Sequence, residues 1–251
     1  MLLGYLAVTL GALLDISSFR RPNIAANSTF QHQRRSPVIL VPGDGGSQIW
    51  ANLTGKPSVV HWFCRRTTSE PYLLWLNVEQ LFPIIQADCL IDNLKLVYNT
   101  TTHRTSNNAG VDVLIPGWGH TATVENIDTD SWTYSATYYY AALVNALVAG
   151  LNYTRGHDIR GAPFDFRKAP KELDDFFRAL KRLIEETYTI NSNTPVTVVS
   201  HSYGGPAMVY FLNRRSQTWK DKYIKSLVTI GGPWGGSVKS LLALSTGKVR
   251  P

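Results

Sequence analysis

The sequence predicts an α/β fold built on a parallel β-sheet. Short apolar runs rich in β-branched residues alternate with longer segments whose apolar residues recur at helical spacing. This alternation is typical of parallel strands joined by helical crossovers. A chain of 251 residues that is 44% hydrophobic also supplies enough apolar material for one sizeable core. We therefore expect one globular domain over residues 36–251.

Each predicted element has its own local signal. A buried strand ends at the Pro42 turn, and a helix begins with Asp and Glu residues and repeats Leu, Phe and Ile on one side. In chain order the predicted elements are a strand at 37–41, a strand at "GVDVLIPGW", helices at about 138–151 and within "KELDDFFRALKRLIEETY", a strand at 196–199, a helix at about 205–213 and a strand at 224–230.

The first residues predict entry into the secretory route. The apolar stretch Leu2 to Leu14 is too short to span a bilayer but matches the core of a signal peptide, although no Lys or Arg precedes it. We assign 1–18 as a signal peptide, with an internal helix as the alternative. Sequons for N-glycosylation, which support this route, begin at Asn27, Asn52, Asn99 and Asn152.

Residues 19–35 form a basic segment that contributes to the net charge of +7. A flexible solvated tail is one interpretation, and attraction to an anionic surface such as lipid headgroups is the other. No basic helix or aromatic stacking motif accompanies the charge, so we do not expect a nucleic-acid partner.

The two cysteines, Cys64 and Cys89, are expected to form a disulfide in an oxidising compartment. Closing a loop of this size stabilises by about 3 kcal/mol in the chain-entropy model. The sequence between them, "PYLLWLNVEQLFPIIQAD", is too apolar for an ordinary surface loop. Core packing is one explanation, and an amphipathic element that contacts a membrane or an acyl chain is the other.

The turn at Ser202 has the pattern of a nucleophile elbow, and a purely structural turn is the alternative. The strand "VTVVS" runs into His201, Ser202, Tyr203 and two glycines, which gives a small-x-Ser-x-Gly pattern followed by a helix. Small residues on either side of the serine let strand and helix approach closely while the hydroxyl stays exposed. Ser200 stands where glycine is usual. We expect His201 to be a packed side chain rather than the base.

Several motifs in order resemble the lecithin:cholesterol acyltransferase family. They are "VPGDGGSQ", the Cys64/Cys89 pair, "RGAPFDFR", "VVSHSYGG" and "WKDKYIKSLVTIGGPWGG". The resemblance implies an α/β-hydrolase fold in which Ser202 forms an acyl-enzyme. It also implies that the backbone amides of Asp44 and Tyr203 form the oxyanion hole. In "RGAPFDFR" we expect ion pairs among Arg160, Asp165 and Arg167 rather than catalysis.

The resemblance further implies that 61–92 is a small disulfide-tied membrane-binding subdomain. Its predicted membrane-contacting side chains are Leu73, Leu74, Trp75, Leu76, Leu81 and Phe82. The expected partners are a phospholipid surface, a lipid acyl donor and an alcohol acceptor. No cofactor or metal is expected.

The acid and base of a triad are missing from the expected place. No histidine follows Ser202, and Asp221 is the sole acidic residue after it, whereas in α/β-hydrolases both partners follow the serine. We therefore expect a C-terminally incomplete hydrolase that is inactive alone. The whole protein is predicted to be a lysosomal or secreted phospholipase A and O-acyltransferase. A noncatalytic lipid-binding product and a secreted esterase for soluble substrates are the alternatives.

Overall fold

The computed structural model describes residues 35–78, 84–128 and 137–246. The predicted signal peptide, nearly all of the basic segment, Asn27, Leu81 and Phe82 lie outside these ranges. Contacts divide the described residues into two units, one of Ser36–Gly232 and one that includes the segment from Pro233 onward. The first unit contains every element described below except the last helix.

The strands are β1 Val38–Val41, β2 Ile49–Leu53, β3 Tyr72–Trp75, β4 Leu96–Asn99, β5 Arg104–Asn107, β6 Val111–Leu114, β7 Ile159–Gly161, β8 Val196–His201 and β9 Ile224–Ile230. The α-helices are α1 Ile84–Leu94, α2 Ala122–Glu125, α3 Ala141–Leu151, α4 Asp174–Ile190, α5 Gly204–Leu212, α6 Gln217–Tyr223 and, in the second unit, α7 Val238–Thr246. A short 3-10 helix, Pro170–Glu172, precedes α4.

The main sheet is parallel, as the sequence predicts. Its strand order is β7-β1-β8-β9, and all three pairings are parallel. Parallel sheets are covered on both faces by their crossovers. Strand β1 shows this covering directly, because Ile39 and Val41 pack in one core cluster while Val38 and Leu40 pack in another. A mixed α/β fold with a parallel sheet is therefore confirmed.

The two core clusters are built from different helices. On one face α4 and α5 contribute Leu180, Ile184 and Phe211, each fully or almost fully buried. On the other face α3 contributes Val144, which packs with Ile159 of β7. Burial of such side chains stabilises by roughly 2 kcal/mol each.

A second, smaller sheet lies outside the parallel one. Strands β3, β2 and β6 pair antiparallel in the order β3-β2-β6, and β4 and β5 form a separate antiparallel hairpin. The "GVDVLIPGW" strand is β6, so it belongs to this small sheet and not to the parallel one. The predicted disulfide is present between Cys64 and Cys89, with Cα atoms 5.6 Å apart.

Arg167, in the segment that follows β7, contacts both α1 and the β4–β5 hairpin. Its guanidinium makes two hydrogen bonds of 2.7 Å to the Asp165 carboxylate, as the ion-pair prediction expects. The same guanidinium donates to the Leu94 carbonyl at the end of α1 and to the Asn107 side chain on β5. One arginine with a buried side chain therefore holds the end of α1 and strand β5. Arg160, by contrast, pairs with Glu186.

A buried ion pair anchors α1. The Lys56 ammonium is almost fully buried and donates to the Asp92 carboxylate at 2.6 Å. Lys95, which is half exposed, reaches the other oxygen of that carboxylate at 2.6 Å. Burial alone would raise the pKa of Asp92, but the hydrogen bonds from the two lysines outweigh it, and the pKa lies below its usual value.

We expect Asp92→Asn to lower the free energy of unfolding by about 3 to 5 kcal/mol at pH 7, because it leaves the buried Lys56 charge unpaired. A carboxylate whose pKa is lower in the folded than in the unfolded protein stabilises the fold at pH values above the unfolded pKa. This stabilisation is lost as the pH falls through the folded pKa. The difference in the free energy of unfolding between wild type and Asp92→Asn should therefore become smaller below about pH 4. Urea unfolding across pH measures this.

Lys95→Gln is the matched control, since it removes the exposed partner of the same carboxylate. An exposed pair contributes at most about 1 kcal/mol. Equal losses from the two substitutions would contradict the assignment of the stability to the buried pair.

Strand β9 lies at an edge of the parallel sheet. In the described part of the chain its sole strand neighbour is β8, and the side chains of Val228 and Ile230 are 45% and 38% exposed. An exposed apolar edge strand favours pairing with a further strand.

None of the helices in the described ranges has both the length and the apolar character needed to cross a bilayer.

Candidate active site

Ser202 occupies the turn between β8 and α5 in the conformation expected of a nucleophile elbow. Its φ is +49°, in the left-handed region that non-glycine residues rarely adopt. The Ser202 N–H donates to the Ile230 carbonyl at 2.9 Å, and its carbonyl accepts from the Gly205 N–H at 3.0 Å. Strained residues that the surrounding structure holds in place cluster at functional sites. Ser202 is half-buried rather than sealed in the core.

The small residues flanking Ser202 make this turn sterically possible. A Cβ on Gly204 would lie 2.5 Å from the Pro42 carbonyl oxygen and 2.7 Å from that of Val41. Only glycine allows the start of α5 to lie this close to the end of β1. Ser200 is fully buried, and its hydroxyl is 3.4 Å from the Val228 carbonyl oxygen. A serine therefore fits where glycine is usual.

The glycine loop after β1 lies directly against the elbow. A Cβ on Gly43 would be 2.6 Å from the His201 carbonyl oxygen and 2.7 Å from the Ser202 Cβ. The loop Pro42–Gly46 and the turn at Ser202 therefore touch through their backbones. Asp44, the predicted oxyanion-hole residue of this loop, is exposed. Tyr203, the other, is the residue immediately before α5, where backbone amides point outward without helical partners.

Tyr139, a residue the sequence analysis missed, lies behind this loop. Its hydroxyl accepts a hydrogen bond from the Gly43 N–H at 2.9 Å and makes a short contact with Nδ1 of His201. Burial raises the pKa of Tyr139 well above its ordinary value, with a further rise from the Asp44 charge. Burial also lowers the pKa of His201, which favours its neutral ring. The His201 ring thus packs against Tyr139, as the sequence analysis expects, and its exclusion as the base stays a prediction.

Trp75 holds the other end of the same loop. Its Nε1 donates to the Gly45 carbonyl at 2.9 Å, and its ring would be 3.2 Å from a Cβ on Gly45. Gly45 has a φ of +71°, which glycine adopts without strain. Trp75, predicted to contact a membrane, is therefore engaged with the loop beside Ser202.

The Tyr203 side chain turns away from Ser202 into the protein. Its hydroxyl donates to the Lys168 carbonyl at 2.8 Å, and its ring packs on Phe164 with centroids 5.8 Å apart. Burial raises the pKa of this phenol, with a further rise from Asp44. The role of the Tyr203 backbone amide in an oxyanion hole stays a prediction.

The membrane-contact prediction requires a correction within 73–76. Leu73, Leu74 and Leu76 are only 8%, 0% and 4% exposed. Their apolar character serves the core, which is the other explanation left open for this segment, because side chains that are already buried cannot enter a lipid layer. Among the described residues near the disulfide, exposed apolar side chains lie just before Cys64, where Trp62 is 93% exposed and Val60 and Phe63 are 49% and 39% exposed, and at Ile91, which is 46% exposed.

Three of the predicted glycosylation sites fall in the described ranges. Asn99, at the end of β4, and Asn152, after α3, are exposed. Asn52 is half-buried on β2, with its side-chain oxygen accepting from the Thr68 hydroxyl. Attachment of sugar at these positions stays a prediction.

Three of the five histidines in the described ranges contact polar side chains other than that of Ser202. His61 contacts Asp88 at 2.8 Å, His103 contacts Tyr98 at 2.9 Å, and His201 contacts Tyr139. Within the described ranges no group of His, Cys, Asp and Glu side chains has the arrangement of a metal site. What this part of the chain brings together is a strained serine, two candidate amide donors and the side chains that hold their loop.

Comparison with known proteins identifies relatives of this chain. The profile of a family described as "Lecithin:cholesterol acyltransferase" matches residues 72–250. The chain is 47% identical over 222 residues to mouse "Lysosomal phospholipase A and acyltransferase", covering 88% of this chain and 52% of that protein. The human protein of that name is 47% identical over 214 residues, covering 85% and 50%. Human "Phosphatidylcholine-sterol acyltransferase" is 39% identical over 211 residues, covering 84% and 46%. The chain thus spans about half the length of these relatives.

Proposed function

We propose a function for this chain from the fact that it belongs to the lecithin:cholesterol acyltransferase family. The protein that contains it cleaves an ester of a glycerophospholipid through an acyl-enzyme on Ser202. The acyl group then passes to water or to a lipophilic alcohol. The observation that carries this proposal is the positive φ of Ser202 at a strand-to-helix turn against which the Gly43 loop packs.

The proposed chemistry uses the groups around the turn. The Ser202 Oγ attacks the ester carbonyl, a general base takes the hydroxyl proton, and the developing oxyanion accepts hydrogen bonds from the Asp44 and Tyr203 amides. Collapse of this intermediate breaks the ester C–O bond, and the lysophospholipid leaves with a proton. Water or an alcohol then attacks the acyl-enzyme, which restores the Ser202 hydroxyl. The N-terminus of α5 adds a favourable field for the oxyanion.

The base and the acid that orients it are proposed to lie outside this sequence. No histidine follows Ser202 in the chain, and three of the five described histidines contact groups other than Ser202. We propose that the 251-residue chain is an incomplete α/β-hydrolase, inactive alone, and that the open edge of β9 is where the remaining sheet would pair. The alternative, a noncatalytic lipid-binding product, would have the same fold without turnover.

An acyl-transfer assay tests the proposal. Phosphatidylcholine with a labelled acyl chain is presented in vesicles that contain a long-chain alcohol, and the longest gene product that includes this sequence is added. We expect labelled fatty acid and labelled fatty ester together. Release of labelled diacylglycerol, with no labelled fatty acid or fatty ester, would overturn the proposal. Vesicle binding without any product would favour the lipid-binding alternative.

The disulfide-tied region is proposed to dock on phospholipid through Trp62. This side chain is almost fully exposed, and its neighbour Phe63 is 39% exposed. Tryptophan is favoured at the boundary between lipid and water. Entry by a signal peptide, with lysosomal or secreted localisation, is part of the same proposal, since one group of relatives carries "Lysosomal" in its name.

We expect Trp62→Ala to weaken binding to phosphatidylcholine vesicles by about tenfold, because an indole entering the interface contributes on the order of 1 to 2 kcal/mol. Vesicle co-sedimentation measures the partition coefficient. Tyr98→Ala is the matched control, since Tyr98 is a 51% exposed aromatic residue on the β4–β5 hairpin. Similar losses for both variants would show that Trp62 has no special role in docking.

A further inference from the structure

The backbone loop Pro42–Gly46 has to be held still if an amide within it is to stabilise an oxyanion. Preorganised donors are effective because they do not reorganise during the reaction. Glycine residues make this loop intrinsically free, since Gly43, Gly45 and Gly46 have no side chains to fix it. The loop has one backbone hydrogen bond of its own, from the Gly46 N–H to the Gly43 carbonyl at 3.1 Å, and side chains from elsewhere in the fold add further contacts.

Tyr139 is placed to supply it at the catalytic end of the loop. Its hydroxyl is within hydrogen-bond distance of the Gly43 nitrogen, one residue before Asp44. Its ring also lies against Gly46, where an added Cβ would be 2.5 Å from the Tyr139 Cζ atom. One side chain thus contacts the loop at two points.

The same hydroxyl also reaches the elbow. It contacts Nδ1 of His201, the residue immediately before Ser202. A phenol has one proton and accepts from Gly43, so its own O–H donates to Nδ1 when His201 is neutral with its proton on Nε2. The chain Gly43 N–H, Tyr139 O–H and His201 Nδ1 then has every group satisfied. This chain couples the loop to the turn that bears the serine.

We propose that Tyr139 is a positioning residue that fixes the oxyanion loop relative to Ser202 through Gly43 and His201. It touches neither substrate nor the reacting atoms. The inference rests on the proposed function, because it assigns a role in forming that oxyanion hole. Trp75 supports the far end of the loop through the Gly45 carbonyl, so loss of Tyr139 loosens the end nearest Ser202.

The adjacent residue provides a matched control. Tyr140, which follows the half-buried Tyr139, is a buried tyrosine directly before α3, and its hydroxyl donates to the Val41 carbonyl of β1 at 2.9 Å, ahead of the loop. Tyr139→Phe and Tyr140→Phe each remove one hydroxyl bonded to backbone and keep the ring. Their effects on the melting temperature should therefore be similar, while only Tyr139→Phe changes the loop.

In the longest gene product, we expect Tyr139→Phe to lower kcat by about 10- to 100-fold with KM within about twofold, because misplacement of an oxyanion donor affects the transition state rather than substrate binding. Tyr140→Phe should keep kcat within about twofold. Equal losses of kcat in the two variants would overturn the proposal. Ser202→Ala is run beside them, and retention of activity there would instead refute the proposed function.

Amide hydrogen exchange tests the same proposal without turnover, on the 251-residue chain. In wild type the Gly43 amide should be protected, and the His201 Nδ1 nitrogen shift should be that of an unprotonated acceptor. Tyr139→Phe should speed Gly43 exchange at least about tenfold, and Tyr140→Phe should leave it unchanged. A rapidly exchanging Gly43 amide in wild type would overturn the proposal even if the Tyr139 variant failed to fold.

Discussion

Ser202→Ala is expected to abolish acyl transfer, with a loss of about four to six orders of magnitude in kcat/KM in the longest gene product. The reason is that the hydroxyl is the atom that forms the acyl-enzyme, and removal of a nucleophile leaves only binding and oxyanion stabilisation. Release of labelled fatty acid from phosphatidylcholine vesicles measures the rate. The fold should be unaffected, because within the described ranges the hydrogen bonds that Ser202 contributes to the turn come from its backbone N–H and carbonyl.

Ser200→Ala is the matched control for this substitution. Ser200 lies two residues earlier on β8, and its hydroxyl makes one long contact with a backbone carbonyl. We expect it to keep kcat/KM within about threefold, since a weak neutral hydrogen bond contributes about 1 kcal/mol or less. Comparable loss of activity in both serine variants would point to damage of the strand rather than to a nucleophile.

Gly204→Ala is expected to destabilise the protein by about 3 kcal/mol. The added Cβ would lie 2.5 Å and 2.7 Å from two backbone carbonyl oxygens at the end of β1. Backbone atoms cannot rotate away as a flexible side chain does, so α5 or β1 has to shift. For a domain of this size the melting temperature should fall by roughly 6 to 12 °C.

Gly150→Ala provides the opposite result in the same experiment. Gly150 lies in α3, and a Cβ there would meet nothing within 4 Å. Alanine in an open helical position is expected to stabilise by about 0.5 to 1 kcal/mol. A Gly204→Ala variant that melts no lower than wild type would mean that β1 and α5 are farther apart than described.

The parallel core was predictable from the sequence because its signals are local. Strand β9 coincides with the predicted 224–230, and β8 extends the predicted 196–199 only to His201. The elbow was also predictable, since the small residues that let strand and helix approach closely lie within five positions of one another. Helix boundaries shifted by a few residues, as in α3, which begins at Ala141.

The residues around the loop were not predictable in this way. An apolar run such as 73–76 reads equally well as core or membrane surface, and only the pairing of β3 with β2 decides for core. Tyr139 reaches Gly43 across 96 positions of sequence, and no local pattern marks such a contact. The pairing of β6 in a separate antiparallel sheet is likewise a tertiary outcome.

The central claim, that the residue 202 hydroxyl is an activated nucleophile, is tested most directly by reacting the longest gene product with a fluorophosphonate and mapping the adduct by mass spectrometry. We predict one phosphonylated site, on the peptide that carries Ser202, and no adduct in Ser202→Ala. A phosphonate on another serine, with Ser202 unmodified in active protein, would contradict the account.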